Sequence, residues 1–241
     1  MKILDLPQAI RERRLFGLFD DFLWYISPHL WTSFNTGTGG ASVAVGAAAF
    51  GGTAVLTTGA TANNEASIAT TNSPFSPGDD KPLLFEALLQ YTEAATNKAN
   101  LFAGFSDSVG ATGQMQANNA GPKASFNGFG IYKVGNTTVW ACVTSRGATQ
   151  TITASQTTAG GAAQQTLRIE GQALDGANME ITFFVNGQQL LDVGNRPIKH
   201  IVNYTSFAQL QAGVYVAAGA ASSEVVNVDY VAAFQQRAPV S

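Results

Sequence analysis

Charged residues are scarce in this chain, and cysteine and histidine are scarcer still. Lys, Arg, Asp and Glu make up 12% of the 241 residues, beside one cysteine and two histidines. A single cysteine excludes an intrachain disulfide. One cysteine and two scattered histidines do not supply the ligands of a transition-metal site. We therefore expect a fold that needs no disulfide, and we expect no cofactor.

Long apolar runs are also missing. No apolar stretch approaches the ~20 residues that a membrane-spanning helix needs. The start of the chain is broken by Lys2, Asp5 and Pro7, which argues against a secretory signal. The formal net charge is −3, whereas nucleic-acid binding needs a basic surface. We expect a protein made in a cytoplasm, with no nucleic-acid partner and no membrane partner.

Small and apolar residues are plentiful instead. Hydrophobic residues make up 45% of the chain, which is enough for a sizeable core. Ala, Gly, Thr, Ser and Asn take the place of surface charge. Such a surface gives little mutual repulsion, which suits a protein that packs into an assembly.

The organising segment is Val225–Phe234, which alternates as a β-strand does. One row is apolar throughout and should face the core: Val226, Val228, Tyr230, Ala232 and Phe234. The other row is mixed and carries Asn227 and Asp229. We predict a central strand of a two-sheet sandwich.

Other segments supply its neighbours. Leu83–Thr92 alternates well, and we expect Leu101–Ser106 to be its antiparallel partner. Met179–Val185 and Gln188–Val193 flank Asn186-Gly187, the dipeptide that a type I′ hairpin turn favours. The longest irregular stretch, Val109–Asn127, is of the length that tends to carry contacts or function.

Further strands follow the same pattern, among them Gly128–Val134 paired with Thr137–Thr144, and Leu167–Glu170 with Leu167 and Ile169 inward. We predict an all-β, antiparallel two-sheet sandwich. A single domain should span residues 20–238, preceded by an N-terminal arm of residues 1–19 with a possible short helix.

Several short segments together carry a family resemblance. They are D-D-F-L (20–23) with Trp31, F-E-A-L-L (85–89), F-A-G-F-S-D (102–107), G-F-G-I-Y-K (128–133), L-R-I-E-G (167–171), F-F-V-N-G (183–187) and V-D-Y-V-A-A-F-Q-Q-R (228–237). In this order they resemble the concanavalin A-like (legume-lectin, laminin-G) jelly-roll family in its bacteriophage virion branch. The resemblance implies a non-enzymatic head-decoration (cement) protein. Such a protein binds and stabilises the capsid lattice and sits on the capsid surface of the virion. Its partners would be the major capsid protein and other copies of itself, as a homotrimer.

The arm would carry these contacts. It holds Arg11, Arg13 and Arg14 beside the apolar residues Leu15 and Phe16. Arginine forms bidentate hydrogen bonds with carboxylates and tolerates partial burial. We therefore expect these five residues to contact an adjacent subunit or the capsid. In the alternative, Leu15–Phe19 folds back and covers an open end of the sandwich.

Carbohydrate binding, as a lectin-like module on a phage tail or virion surface, is the alternative function. A sugar site needs exposed aromatic rings with Asn or Asp for the hydroxyls, which makes Asn227 and Asp229 a possible ligand face. Trp140 is a second candidate, although it fits a buried core position better. Arg168 and Glu170 would then form an ordinary cross-strand ion pair.

Catalytic patterns are weak. Glycosidases on this fold use E-x-D-x-E, which is absent; Glu170 and Glu180 are the nearest acidic pair on predicted strands. Neither His29 nor His200 lies beside a nucleophile elbow. Asp79, Asp80 and Asp107 suit either a calcium site or simple turns. Cys142 lies in an apolar run that favours burial, and we expect no enzymatic activity.

Overall fold

The computed structural model describes residues 15–23, 29–37, 40–46, 52–109 and 113–237. These residues form sixteen strands in two antiparallel sheets. The strands are β1 (Leu15–Asp20), β2 (Trp31–Thr36), β3 (Ser42–Gly46), β4 (Thr53–Thr57), β5 (Glu65–Thr70), β6 (Leu83–Thr92), β7 (Ala99–Ser106), β8 (Phe126–Lys133), β9 (Val139–Gly147), β10 (Thr149–Thr158), β11 (Gln165–Ala173), β12 (Asn178–Val185), β13 (Gln188–Gln189), β14 (Lys199–Asn203), β15 (Gln211–Ala218) and β16 (Val225–Gln236).

The nine-stranded sheet has the order β13-β12-β11-β6-β16-β4-β3, with β1 beside β16 and β14 beside β12. The seven-stranded sheet has the order β10-β9-β8-β7-β15-β5-β2. This architecture confirms the predicted all-β jelly-roll sandwich. The predicted partnership of Leu83–Thr92 with Leu101–Ser106 is wrong, because these segments are β6 and β7 of opposite sheets. Their connection crosses the sandwich instead of forming a hairpin.

The core lies between the sheets, and Phe105 is its aromatic centre. Its ring centroid is 4.9 Å from Phe75, 5.8 Å from Phe85 and 5.4 Å from Phe129, all in edge-to-face geometry. Phe105 belongs to β7 and Phe85 to β6, so the cluster ties one sheet to the other. Each such pair adds about 0.5–1.5 kcal/mol beyond the burial of its area.

The predicted hairpin turn at Asn186-Gly187 is confirmed, although the strand after it ends at Gln189 and not at Val193. β12 pairs with β13 through Val185 and Gln188, and the two turn residues have φ angles of 51° and 75°. Both angles are positive, as a type I′ turn requires.

The last strand is central, as predicted. Along one edge β16 pairs with β6 from Val225 to Gln235. Along its other edge it pairs first with β4, up to Val228, and then with β1 from Val231 onward. Two separate segments of the chain thus share one edge of this strand.

The predicted core row of β16 is correct only for its first half. Val226 and Val228 are fully buried, but the register with β6 shifts between Val228 and Tyr230, which leaves Asp229 as an extra residue. Side chains alternate with a period of two, so one extra residue exchanges the faces. Val231 and Ala233 are therefore in the core. Tyr230 and Phe234, predicted to be core residues, are only half-buried and lie on the outer face.

The N-terminal boundary also differs from the prediction. Leu15–Asp20 is a strand of the sandwich, with Leu15 in register with Gln236 and Phe19 with Ala232. The sandwich therefore begins by residue 15 and not at residue 20. The segment folds back on its own chain, but as a strand beside β16 and not as the cover of an open end that the alternative proposed. Leu15 and Phe16, predicted as intersubunit contacts, pair with β16. Arg11, Arg13 and Arg14 lie outside the described residues.

The described part of the segment between β7 and β8 packs on the outer face of the seven-stranded sheet. Val109 and Met115 from this segment pack with Phe102, Tyr132 and Tyr215 in a second buried cluster. Sequence alone predicted contacts or function for this stretch, and its described part provides an extra layer of core. The outer face of the nine-stranded sheet has no comparable cover in the described chain.

One buried ion pair joins the β6–β7 turn to β8. The side chain of Lys133 is 1% exposed, and its Nζ lies 2.8 Å from Glu93 Oε1. Lys133 also donates to the carbonyl of Ala99 at 3.1 Å, while Glu93 accepts from the backbone N–H groups of Asn97 and Ala99. Each charge has its partner and additional hydrogen bonds, which is the condition under which a buried ion pair is tolerated.

Replacing Lys133 by Ala should lower the free energy of unfolding by about 3–5 kcal/mol, because Glu93 would remain desolvated without its cation. Lys199→Ala is the matched control. Its pair with Glu180 is 2.9 Å long but solvent-exposed, so a loss of about 0–1 kcal/mol is expected. Urea unfolding of both variants measures the difference; equal losses would show that burial does not set the strength of the Lys133 pair.

Candidate binding groove on the open sheet face

Asn227 and Asp229 lie together in a groove of about 250 Å³ on the outer face of the nine-stranded sheet. The groove runs over β3, β4, β6 and β16 and is called here the outer-face groove. Its lining consists of Gly46, Thr53, Val55, Leu89, Gln90, Gln164, Asn227 and Asp229. The structure therefore brings together the two residues that the sequence marked as a possible ligand face.

Strand pairing positions Asn227. Asn227 is in register with Gln90 on β6 and with Val55 on β4. All three side chains are half-buried, while the neighbours Val226 and Val228 face the core. Alternation on three adjacent strands thus builds the floor of the groove.

The bulge in β16 places Tyr230 beside Asp229. Asp229 is the extra residue of β16, and Tyr230 follows it on the outer face, opposite Leu88. Without the bulge, side chains at these two consecutive positions would point to opposite faces. The bulge is what places a carboxylate and a phenol side by side on one surface.

The groove offers unused hydrogen-bonding capacity. Gln90 donates to the carbonyl of Ala162. Within the described chain, the side chains of Asn227, Asp229, Gln164 and Thr53 make no hydrogen bond. An amide can donate and accept, and an ionised carboxylate can accept from two donors. The groove can therefore bind a ligand rich in hydroxyl groups.

An aromatic pair lies beside it. The rings of Phe19 and Tyr230 are stacked, with centroids 5.5 Å apart. The Tyr230 hydroxyl donates to Glu86 Oε1 at 2.7 Å. Partial burial, and then this bond to a carboxylate, raise the pKa of Tyr230 to about 12. The tyrosine therefore keeps its proton in neutral solution. Neither ring was predicted to be a site residue, because Tyr230 was assigned to the core and Phe19 to the N-terminal arm.

Two carboxylates on this face, those of Glu170 and Glu180, have cationic partners. Glu170 lies 3.2 Å from Arg168, and Glu180 lies 2.9 Å from Lys199. Arg168 and Glu170 were expected to pair across strands; they are two residues apart on the same strand, β11. A retaining glycosidase needs two carboxyl groups facing one gap about 5–5.5 Å wide. Here each of the two glutamates faces a cation instead.

The remaining sequence candidates lie elsewhere. Trp140 and Cys142 are fully buried, and the Trp140 indole donates to Gln165 at 2.8 Å. Burial raises the pKa of the Cys142 thiol well above its usual range. The core assignment of both residues is confirmed, so Trp140 is not available for stacking on a ligand.

The aspartates proposed for calcium do not form one site. Asp107 accepts hydrogen bonds from the backbone and side chain of Asn127, at 3.1 and 2.9 Å. Asp79 and Asp80 line a different pocket, next to Glu170. No group of three or more His, Cys, Asp or Glu side chains in the described chain is arranged to hold a metal ion.

His200 is buried between the two sheets. Its ring nitrogens lie 3.3 Å from the hydroxyl of Thr144 and 2.9 Å from that of Thr153, and its ring meets Phe183 edge to face. Desolvation by burial lowers the pKa of His200 from its usual 6.5 to about 4. His29, the other histidine, is exposed. His200 therefore holds β14 against the seven-stranded sheet as a neutral ring.

Acid should weaken the fold through His200. Between about pH 6.5 and 4, His200 is protonated in the unfolded chain but stays neutral in the folded protein. The free energy of unfolding therefore falls as the pH falls. The loss is at most about 1.4 kcal/mol per pH unit. Urea unfolding across this range should give a shallower pH dependence for His200→Gln than for wild type. His29→Gln is the control and should keep the full slope; a wild-type slope in His200→Gln would contradict the assignment.

Comparison with known proteins gives a clear answer for the fold. No protein-family model and no curated protein matches the sequence. Among solved structures, peanut lectin in complex with a nine-residue peptide is similar with a TM-score of 0.59 and 9% identity, over 94% of this chain and 99% of the lectin. The carbohydrate recognition domain of Emp46p, in its potassium-bound form, gives 0.58 and 14%, over 90% and 95%. An endo-1,3-β-glucanase from Streptomyces sioyaensis gives 0.60 and 14%, over 93% and 98%.

The fold is that of the concanavalin A-like lectins. The similarity extends over nearly the whole of each chain, whereas identities of 9–14% show the fold alone. This fold carries both sugar-binding proteins and a glycan-cleaving enzyme, so the function has to be argued from the site. No helix in the described residues is long and apolar enough to cross a bilayer.

Proposed function

We propose that the protein is a carbohydrate-binding module and that the outer-face groove is its ligand site. The bulge at Asp229 carries this proposal. A bulge in the middle of a sheet interrupts hydrogen-bonded pairing, and bulges are common where a side chain must be redirected toward a site. Here the redirected side chain is that of Tyr230, which the bulge turns to the outer face beside Asp229 of the groove lining.

The chemistry of the groove suits sugar hydroxyls. Asp229 can accept from two neighbouring hydroxyls, while Asn227 and Gln164 can each donate and accept. Val55 adds apolar surface of the kind that the C–H face of a sugar ring needs. The stacked rings of Phe19 and Tyr230 border this polar group.

The structural neighbours give independent support. One is a carbohydrate recognition domain, one is a plant lectin and one is a glucanase, so the same sandwich presents glycan sites in other proteins. We propose binding without cleavage. The pairing of Glu170 with Arg168 and of Glu180 with Lys199 leaves these carboxylates no shared gap for a glycosidic bond.

The virion role expected from the sequence stays a prediction. It depends on Arg11, Arg13 and Arg14, which lie outside the described residues, and on the phage resemblance. The homotrimer, the major capsid protein as partner and the capsid-surface location are likewise predictions. A carbohydrate-binding module on a phage particle would be compatible with both expectations.

Removing the polar groups of the groove should weaken glycan binding. A glycan array with the wild-type protein first identifies a ligand, and calorimetry then compares Asn227→Ala and Asp229→Ala with wild type. Each substitution should weaken binding about 10-fold or more, because a hydrogen bond to a charged or amide group contributes about 1–3 kcal/mol.

Gln172→Ala is the matched control, since Gln172 is an exposed amide on β11 of the same sheet but outside the groove. It should bind the ligand as wild type does. A protein that binds no glycan on the array, or binds one with undiminished affinity in both groove variants, would refute the proposed function.

A further inference from the structure

Phe19 gives the outer-face groove an exposed aromatic neighbour. Its side chain is 60% exposed, although its ring is stacked on Tyr230 with an angle of 30° between the planes. Tyr230 is fixed from the other side by its hydrogen bond to Glu86. A ring held in this way loses little conformational freedom when a ligand covers it.

Another aromatic ring on this face, that of Phe184, is covered by a cation. Phe184 on β12 is covered by the guanidinium of Arg168, which lies 4.6 Å from the ring centroid. Among the described residues, no cation or further ring covers the free side of Phe19. The apolar surface next to the groove is therefore available to a ligand.

The distance between Phe19 and the groove residue Asp229 indicates the size of the ligand. Phe19 is in register with Ala232, three residues beyond Asp229 along β16. Three residues of strand span about 10 Å. This distance is longer than one sugar ring, so a ligand that touches both features needs at least a second ring.

The charges indicate its chemical class. Asp229 is the one charged residue of the groove lining, and a second carboxylate, that of Glu86, accepts the hydrogen bond of the Tyr230 hydroxyl beside the groove. The cations of the same face, Arg168 and Lys199, are each paired with a glutamate. A uronic or other acidic sugar would meet carboxylates with no free described cation to balance them.

On the basis of the proposed function, we infer that the ligand is a neutral oligosaccharide. One sugar unit occupies the groove at Asn227 and Asp229, and the next unit along the last strand stacks on Phe19. Specificity for chain length then resides in Phe19, and specificity against acidic glycans resides in Asp229.

Calorimetry with graded neutral ligands tests this inference. The probes are mono-, di-, tri- and tetrasaccharides of the malto, cello, laminari and manno series, with oligogalacturonates as the acidic counterpart. For wild type, affinity should rise from the monosaccharide to the disaccharide or trisaccharide of one neutral series. Oligogalacturonates should bind at least about 10-fold more weakly than that series.

Phe19→Ala should bind the longer ligands about 10-fold more weakly and the monosaccharide unchanged, because only the second unit loses its stacking surface. Phe19→Leu keeps apolar bulk without a flat ring and should resemble Phe19→Ala. Leu174→Ala removes another exposed apolar side chain and should resemble wild type. Thermal unfolding of each variant confirms that the sandwich is intact.

The outcomes separate the two proposals. A wild-type affinity that is independent of chain length, or an unchanged affinity of Phe19→Ala for the longer ligands, would overturn the inference and leave the groove as a monosaccharide site. Equal binding of oligogalacturonates would overturn the assignment to neutral glycans. If no glycan of any length binds to wild type, the proposed function fails and the inference fails with it.

Discussion

The structure depends on how β16 is paired. This strand hydrogen-bonds to β6 along one edge, while β4 and β1 share its other edge in succession. The bulge at Asp229 lies where the second partner changes. Val228 before the bulge and Val231 after it both face the core. The extra residue therefore keeps the hydrophobic core continuous while β16 changes from one edge partner to the other. The proposed ligand-binding surface depends on the same irregularity, because the bulge turns Tyr230 to the outside beside Asp229.

The two outer faces of the sandwich differ in how far they are covered. The seven-stranded sheet has apolar side chains such as Phe102 and Tyr215 on its outer side, and the segment carrying Val109 and Met115 buries them. The nine-stranded sheet carries polar and aromatic residues outside, including Gln90, Asn227 and Tyr230. The proposed binding site therefore lies on the open sheet, while the other sheet buries a second apolar cluster. The buried Lys133–Glu93 pair and His200 add fixed polar contacts at the periphery of the core.

Local patterns made much of this fold predictable. The alternation in Leu83–Thr92 and the Asn186-Gly187 turn depend on residues close in sequence, and the structure has both. Sheet partners depend on the whole chain, which is why β6 and β7 were wrongly paired. The bulge has no signal in V-V-N-V-D-Y-V, since a regular strand fits those residues equally well. Asn227 and Asp229 could be identified as candidates from their polar row, but Phe19 joins them only through the pairing of β1 with β16.

The pairing of β1 with β16 also fixes how the sandwich is attached to the rest of its chain. Leu15 is in register with Gln236, so the polypeptide enters and leaves the sandwich at one point. The groove at Asp229 lies seven residues along β16 from that point, about 23 Å away. A second protein fused before residue 15 and one fused after residue 237 would therefore be attached at the same place on the sandwich. Either attachment leaves the binding surface at a similar distance from its support, so the order of modules in a fusion protein matters little for access to a glycan-coated surface.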